Sequence, residues 1–170
     1  MNDTLKYFLR FLLFLAVQLV FFNSLNLGTY LFPAPYILFL LLFPCLYSVA
    51  WLLIWAFAFG LCLDVFGGGV LGLHTSALLI LALFRYGLLR LVSVKGDLDN
   101  LSVPGFITFG FGRYFVFVLL SVLVHHIVYF SLESFSFFHF WQVFLRIAGS
   151  TLLNVFLVLL FERVFYAGRR

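Results

Sequence analysis

The chain has 170 residues, of which 65% are hydrophobic and only 9% are charged, and its mean hydropathy is +1.20. Soluble domains carry about 25% charged residues, so this composition excludes a soluble globular protein. The net charge of +4 does not indicate nucleic-acid binding here, because the basic residues stand mostly at the ends of apolar stretches. At those positions they fit membrane topology and contact with lipid headgroups.

Apolar stretches occupy nearly the whole chain, and a helix needs ~20 apolar residues to cross a bilayer once. In chain order they predict six membrane-spanning helices, at residues 5–22, 30–43, 46–63, 70–91, 113–132 and 141–161. The first stretch is interpreted as a retained helix rather than a signal peptide, because no small-residue cleavage site follows it. The sequence therefore predicts an all-α, polytopic membrane bundle that forms a single domain over residues 1–170, with one sizeable polar connection at 93–110.

The boundary between the second and third predicted helices leaves an alternative, in which residues 36–63 form one long kinked helix and the chain crosses five times. Cytoplasmic loops are enriched in Lys and Arg. With six crossings and a cytoplasmic N-terminus, every basic residue except Arg146 falls on the cytoplasmic face. With five crossings, the basic residues between 85 and 113 move to the outer face. The charges therefore favour six crossings with both termini in the cytoplasm.

Asp64 is the foremost candidate for a site, because an ionisable side chain inside a membrane costs ~3 kcal/mol or more. It stands at the predicted end of the third helix, before a glycine-rich turn at residues 67–72. One interpretation is a buried anchor that accepts hydrogen bonds from this turn or pairs with His74, while the glycines let helices approach closely. The other is a charged residue at a helix end, in contact with headgroups. The spacing alone leaves both open.

Four other polar residues lie within or beside the last two predicted helices. Glu133 and Arg146 could pair across the short outer loop, but we expect Arg146 to extend to the interface on its own. His125 and His126 are adjacent and therefore point to different faces of one helix, which does not suit a shared metal ion. We expect one of these histidines to pack and form hydrogen bonds inside the bundle.

Cys45 and Cys62 lie in or beside different apolar stretches, where cysteine usually acts as a small hydrophobic residue. Their spacing predicts neither a disulfide nor a metal site. The chain has no phosphate-binding loop, dinucleotide fingerprint or nucleophile elbow. We therefore predict no catalytic, cofactor-binding or metal-binding residues and no cofactor.

The stretch Gly60-Leu-Cys-Leu-Asp64, followed by Gly68 and Leu71-Gly72, resembles the pattern of the bacterial rod shape-determining protein MreD family. In that pattern a glycine and a short apolar spacer precede an aspartate near the end of the third helix, and a spaced glycine and Leu-Gly open the fourth. The chain length and the near absence of soluble loops also match. The resemblance implies that Gly60, Asp64, Gly68 and Gly72 shape the turn between these helices.

The resemblance also implies a function, that of a non-enzymatic scaffold in the bacterial inner membrane. MreD-like proteins lie beside the single-pass protein MreC in the cell-wall elongation machinery. The other partners implied are cytoskeletal MreB, a glycan polymerase and a penicillin-binding transpeptidase. The family's fold also looks like that of the substrate-binding subunit of energy-coupling-factor vitamin transporters.

Two other functions are alternatives to the scaffold. A vitamin-binding transporter subunit, the runner-up, needs a polar, ligand-sized cavity near the outer face and small residues on the first helix, which offers only Ala16 among bulky residues. An integral-membrane enzyme, such as a lipid-modifying one, needs at least two convergent polar groups at one depth. Asp64 with His74 is the candidate pair for such chemistry.

Overall fold

The computed structural model describes residues 3–25, 27–28, 30–94, 98, 103–134 and 140–166, and the regular structure in these residues is helical. Five of the helices are long and apolar enough to span a membrane. The prediction of a polytopic, all-helical membrane protein is therefore confirmed. The helices are α1 (Asp3–Val17, continued by a π-helical turn at Gln18–Phe22), α2 (Ile37–Leu41), α3 (Val49–Phe66), α4 (Leu73–Val92), α5 (Phe106–Ser134) and α6 (Phe140–Tyr166).

The prediction of six spanning helices is wrong at the second one. Residues 30–43 contain only the five-residue helix α2, which is ~7.5 Å long and cannot cross a bilayer. Pro33 and Pro35 explain the difference, because each lacks an amide donor and disfavours helical geometry in the residue before it. The alternative gives the right number of spanning helices among the described residues, five, but its single helix over 36–63 is wrong, since the backbone is not α-helical between α2 and α3.

Residues 30–47, which we call the interior segment, nevertheless run from one end of the bundle to the other. Near the segment's start, the ring of Phe32 stacks on Tyr129 in the last turns of α5, with centroids 4.8 Å apart. Near its end, Phe43 stacks on Tyr7 in the first turns of α1 at 4.7 Å. Residues 36–43 are each at most 2% exposed. The chain therefore passes through the protein interior at the place where a membrane helix was predicted.

The direction of the neighbouring helices requires this passage. Phe11 in the first half of α1 contacts Phe59 of α3, with ring centroids 5.0 Å apart. Beyond the other end of α1, the side-chain amide of Asn23 donates to the carbonyl of Gly67 after α3, at 3.4 Å. Helices α1 and α3 thus run in the same direction, and the interior segment carries the chain back between them.

The remaining helices follow as antiparallel neighbours, with α3 against α4, α4 against α5 and α5 against α6. Lys6 near the start of α1 and Glu162 near the end of α6 line one cavity, so these two helix ends lie at the same end of the bundle. We call it the basic end, because the following described residues lie there: Lys6, Arg10, Arg85, Arg90, Arg113 and Arg163. Three more basic residues for which the sequence predicts a cytoplasmic position lie outside the described residues: Lys95, Arg169 and Arg170. Most of the polar connection at 93–110 also lies outside them.

Candidate functional site

The side chain of Asp64, in the last turns of α3, is fully buried against the start of α4. Its Oδ1 accepts a hydrogen bond from the amide of His74 at 2.9 Å and lies 2.9 Å from Nδ1 of the same residue. Its Oδ2 accepts from the amides of Gly72 at 2.9 Å and Thr75 at 3.1 Å, and from the Thr75 hydroxyl at 2.5 Å. Because a carboxylate only accepts, Nδ1 of His74 carries the proton in this pair. The buried-anchor interpretation of Asp64 therefore describes its position, and the headgroup-exposed one does not.

This arrangement caps helix α4 from a neighbouring helix. The first amides of any helix have no acceptor within the helix, and in a membrane no bulk water replaces it. Helix caps are usually supplied by the side chain of the capping residue itself. Here the capping residue is Gly72, which has no side chain, so the carboxylate of Asp64 takes that role. Its negative charge also lies at the positive end of the α4 dipole, which is favourable.

The glycines of the motif have two different structural roles. A Cβ atom on Gly60 would lie 2.5 Å from the Cα of Thr75, so this glycine permits direct backbone contact between α3 and α4. Gly68 and Gly72 have φ angles of +73° and +94°, a left-handed geometry that only glycine adopts readily. The structure thus brings Gly60, Asp64, Gly68 and Gly72 to one place, which we call the Asp64 junction.

A second buried charged residue, Arg85 of α4, holds the other end of the interior segment. Its guanidinium donates to the carbonyls of Leu41 at 3.2 Å and Pro44 at 3.3 Å, and to the carbonyl of Phe43. No carboxylate pairs with Arg85 among the described residues. These carbonyls belong to the last residue of α2 and to the turn after it, where the helix leaves acceptors unsatisfied and a cation is favourable. Sequence reasoning treated Arg85 only as a topology marker and did not find this role.

Asn154 of α6 stabilises the non-helical first half of the interior segment. Its side-chain oxygen accepts from the amide of Ala34 at 2.5 Å, and its Nδ2 donates to the carbonyl of Phe32 at 2.6 Å. One turn away, the Ser150 hydroxyl accepts from the Phe32 amide at 3.0 Å and donates to the carbonyl of Tyr30 at 3.2 Å. Irregular backbone at membrane depth requires such partners, since lipid offers none.

His125 and His126 are both buried and both form hydrogen bonds, where sequence reasoning expected this of one. Nδ1 of His126 donates to the carbonyl of Val122 at 2.9 Å, so its Nε2 is the acceptor for Nδ2 of Asn154 at 3.2 Å. Nε2 of His125 lies 3.1 Å from the hydroxyl of Tyr36. The described part of the chain contains no group of three His, Cys, Asp or Glu side chains that could hold a metal ion.

Arg146 pairs with Glu133 at the end of the bundle opposite the basic end. The two N–O distances are 2.8 and 3.2 Å, a bidentate geometry, and both side chains are partly exposed. The guanidinium also lies over the ring of Phe130, 4.6 Å from its centroid. The expectation that Arg146 extends to the interface on its own is therefore wrong.

The arrangement at the Asp64 junction is suited to fixing two helices together, because both carboxylate oxygens are engaged by α4. The cysteines add no link between helices in the described residues, where Cys45 is buried, Cys62 is half-buried and neither forms a disulfide. Comparison of this chain with protein-family models, curated proteins and solved structures finds no match.

Proposed function

We propose that this protein is a non-enzymatic scaffold of the bacterial cell-wall elongation machinery. In this proposal it is an MreD-like protein of the inner membrane that binds an MreC-like single-pass partner and contributes to rod shape. The observation that carries the proposal is the convergence of Gly60, Asp64, Gly68 and Gly72 on one junction between α3 and α4. These are the four positions that match the MreD pattern.

A scaffold needs helices held in a fixed relation, and the Asp64 junction supplies that rigidity. Direct backbone contact at Gly60 and the buried carboxylate restrain α3 and α4 at the same end of the bundle. The outward face of α3 stays apolar and exposed, and so is available for lipid or for a partner helix. The following residues form this face: Trp51, Ile54, Phe57, Leu61 and Val65.

The charges support one orientation in the membrane. Arg146 lies at the Asp64 end, where Glu133 pairs with it, whereas the remaining described Arg and Lys residues lie at the basic end. Because cytoplasmic segments are enriched in basic residues, we place the basic end in the cytoplasm. The Asp64 junction then lies near the outer face, where the extracytoplasmic part of an MreC-like protein would lie. The basic end would face MreB.

An enzymatic function is less well supported by the same geometry. The pair that a membrane enzyme would use is Asp64 with His74, and its carboxylate already accepts from three backbone amides. A carboxylate that caps a helix in this way cannot turn toward a substrate without leaving those amides unsatisfied, which is costly in a buried site. We therefore assign Asp64 a positioning role.

One observation favours the vitamin-transporter alternative as a second candidate. At the Asp64 end, a cavity of about 470 Å³ is lined by both polar and apolar side chains. Its volume is within the ~300–1,000 Å³ typical of sites for small ligands. Its lining residues are Gly28, Tyr30, Leu31, Phe32, Gln142 and Arg146.

The experiment that tests the proposal is purification of the tagged protein in mild detergent from its bacterial host, followed by identification of whatever co-purifies. We expect a single-pass protein with an extracytoplasmic coiled coil. An Asp64→Ala variant should recover less of this protein and should impair rod shape, whereas Glu133→Gln, a carboxylate at the same end, should behave as wild type. A bound vitamin or an ATPase module would contradict the scaffold function and favour the transporter. Normal partner recovery and normal shape with Asp64→Ala would remove Asp64 from the proposal.

A further inference from the structure

A second cavity, of about 240 Å³, opens at the basic end between the start of α1, the start of α5 and the end of α6. Lys6 and Arg10 lie on its α1 side, one helical turn apart, and Glu162 lies on its α6 side. The volume is below the ~300–1,000 Å³ of typical sites for drug-sized ligands. The cavity therefore has room for a small group, and its charged walls favour a group that itself carries charge.

Glu162 is an unusual residue for such a position. It is only 5% exposed, and its Oε1 accepts a hydrogen bond from the amide of Phe106 at 3.2 Å. Its Oε2 is buried and has no hydrogen-bond partner among the described residues. Gly105 permits the close approach, since a Cβ there would lie 2.7 Å from Oε1. A buried carboxylate oxygen without a donor is costly and indicates that a donor is supplied from elsewhere.

Neither basic residue that lines the cavity, Lys6 or Arg10, supplies the donor that Oε2 of Glu162 lacks. Lys6 lines the same cavity, but the described residues contain no ion pair between Lys6 and Glu162. Positive and negative groups thus lie on different walls of one small cavity. A ligand that carries an anionic and a cationic group side by side complements both walls, because its cationic group supplies the donor that Oε2 of Glu162 lacks.

The surroundings indicate where such a ligand comes from. The cavity lies at the ends of membrane-spanning helices, the depth at which lipid headgroups lie. Its lining also includes apolar residues, among them Leu42, Val103 and Ile107. Ile107 is 72% exposed, so the apolar lining continues onto the outer surface where acyl chains would lie.

We propose that this cavity binds the headgroup of a zwitterionic phospholipid with a primary ammonium, of the phosphatidylethanolamine class. The phosphate contacts Lys6 and Arg10, and the ammonium donates to the carboxylate of Glu162. A phosphatidylcholine headgroup fits less well, because its quaternary ammonium has no N–H to donate. An anionic phosphatidylglycerol headgroup offers only neutral hydroxyl donors, whose hydrogen bonds to the carboxylate are weaker than that of an ammonium. This inference does not depend on the proposed scaffold function.

The test is native mass spectrometry of the full-length protein in detergent, with phosphatidylethanolamine, phosphatidylcholine or phosphatidylglycerol of identical acyl chains added. We expect phosphatidylethanolamine to bind about tenfold more tightly than either other lipid, because a charge-assisted hydrogen bond contributes roughly this factor. Equal binding of the three lipids, or tighter binding of phosphatidylglycerol, would overturn the proposal. Displacement of the lipid by inorganic phosphate alone would indicate a free-anion site and would also overturn it.

Three single substitutions test which residues of the cavity bind the lipid headgroup. Glu162→Gln keeps an oxygen that can accept from the Phe106 amide but removes the charge, so the preference for phosphatidylethanolamine should fall to within about twofold of phosphatidylcholine. Lys6→Gln should weaken binding of all three lipids and keep the order of preference. Arg146→Gln, at the other end of the bundle, should change neither. A preference that survives Glu162→Gln in a variant that keeps its wild-type unfolding temperature would refute the role of Glu162.

Discussion

Replacing Asp64 with asparagine tests the cap on α4 most sharply, because the variant keeps the shape of the side chain and changes only its hydrogen bonding. One acceptor oxygen becomes a donor. In the more favourable orientation the new amide group takes the position of Oδ1, where the His74 ring can change tautomer and accept from it. The backbone amide of His74 then loses its acceptor, while those of Gly72 and Thr75 keep theirs.

The size of the effect follows from this count. One unsatisfied buried amide costs about 1–3 kcal/mol, and loss of the negative charge at the start of a helix costs about 0.3–2 kcal/mol. We expect Asp64→Asn to lower the free energy of unfolding by about 1–5 kcal/mol, the sum of these two contributions. Asp64→Ala deprives three amides of their acceptor and leaves a cavity, so its effect should be larger by at least ~1 kcal/mol.

The measurement is reversible unfolding in mixed micelles of mild and denaturing detergent, followed by circular dichroism. Glu133→Gln is the matched control, because its carboxylate belongs to a partly exposed ion pair that contributes only about 0–1 kcal/mol. An Asp64→Asn variant as stable as the wild type would refute the capping role. So would an alanine variant no less stable than the asparagine variant.

Three further substitutions test other parts of the fold in the same unfolding assay. Gly60→Ala should lower the free energy of unfolding by about 1–3 kcal/mol, because the added Cβ would meet the backbone of α4. Gly87→Ala is the control: its added Cβ would have no neighbour within 4 Å, so it should be neutral or slightly stabilising. Equal effects of the two substitutions would contradict the close contact between α3 and α4. Arg85→Met should lower the free energy of unfolding by about 2–4 kcal/mol, because the carbonyls of Leu41 and Phe43 lose this donor, while the exposed Arg90→Met should cost under ~0.5 kcal/mol. Asn154→Leu should cost about 2–5 kcal/mol, since one amide and one carbonyl of the interior segment lose their partners, and wild-type stability would contradict that role.

The membrane class could be predicted from composition, because no soluble core can bury so large an apolar fraction. The interior segment could not. An apolar run that is surrounded by protein has the same composition as one surrounded by lipid, and periodicity does not separate the two. The signal that could have found it was the proline spacing, with Pro33, Pro35 and Pro44 bracketing a stretch too short for a spanning helix.

The contacts of charged residues were predicted with uneven success. The pairing of Asp64 with His74 was one of the alternatives, because a glycine-rich turn brings residues ten apart in sequence into contact. The burial of Arg85 was missed, since its position at the end of an apolar helix fits a topology marker equally well. The pair between Arg146 and Glu133 depends on the angle between α5 and α6, which the sequence pattern does not specify.

The passage of the interior segment through the bundle is the central claim, and labelling of single cysteines tests it most directly. In a Cys45→Ala, Cys62→Ala background, a membrane-impermeant thiol reagent is applied to intact and to permeabilised cells carrying Thr4→Cys, Gly69→Cys or Ser93→Cys. Because the interior segment returns the chain between α1 and α3, positions 4 and 93 should lie on the same side and label only after permeabilisation. Position 69 should label in intact cells. Labelling of positions 4 and 93 from opposite sides would contradict the fold described here.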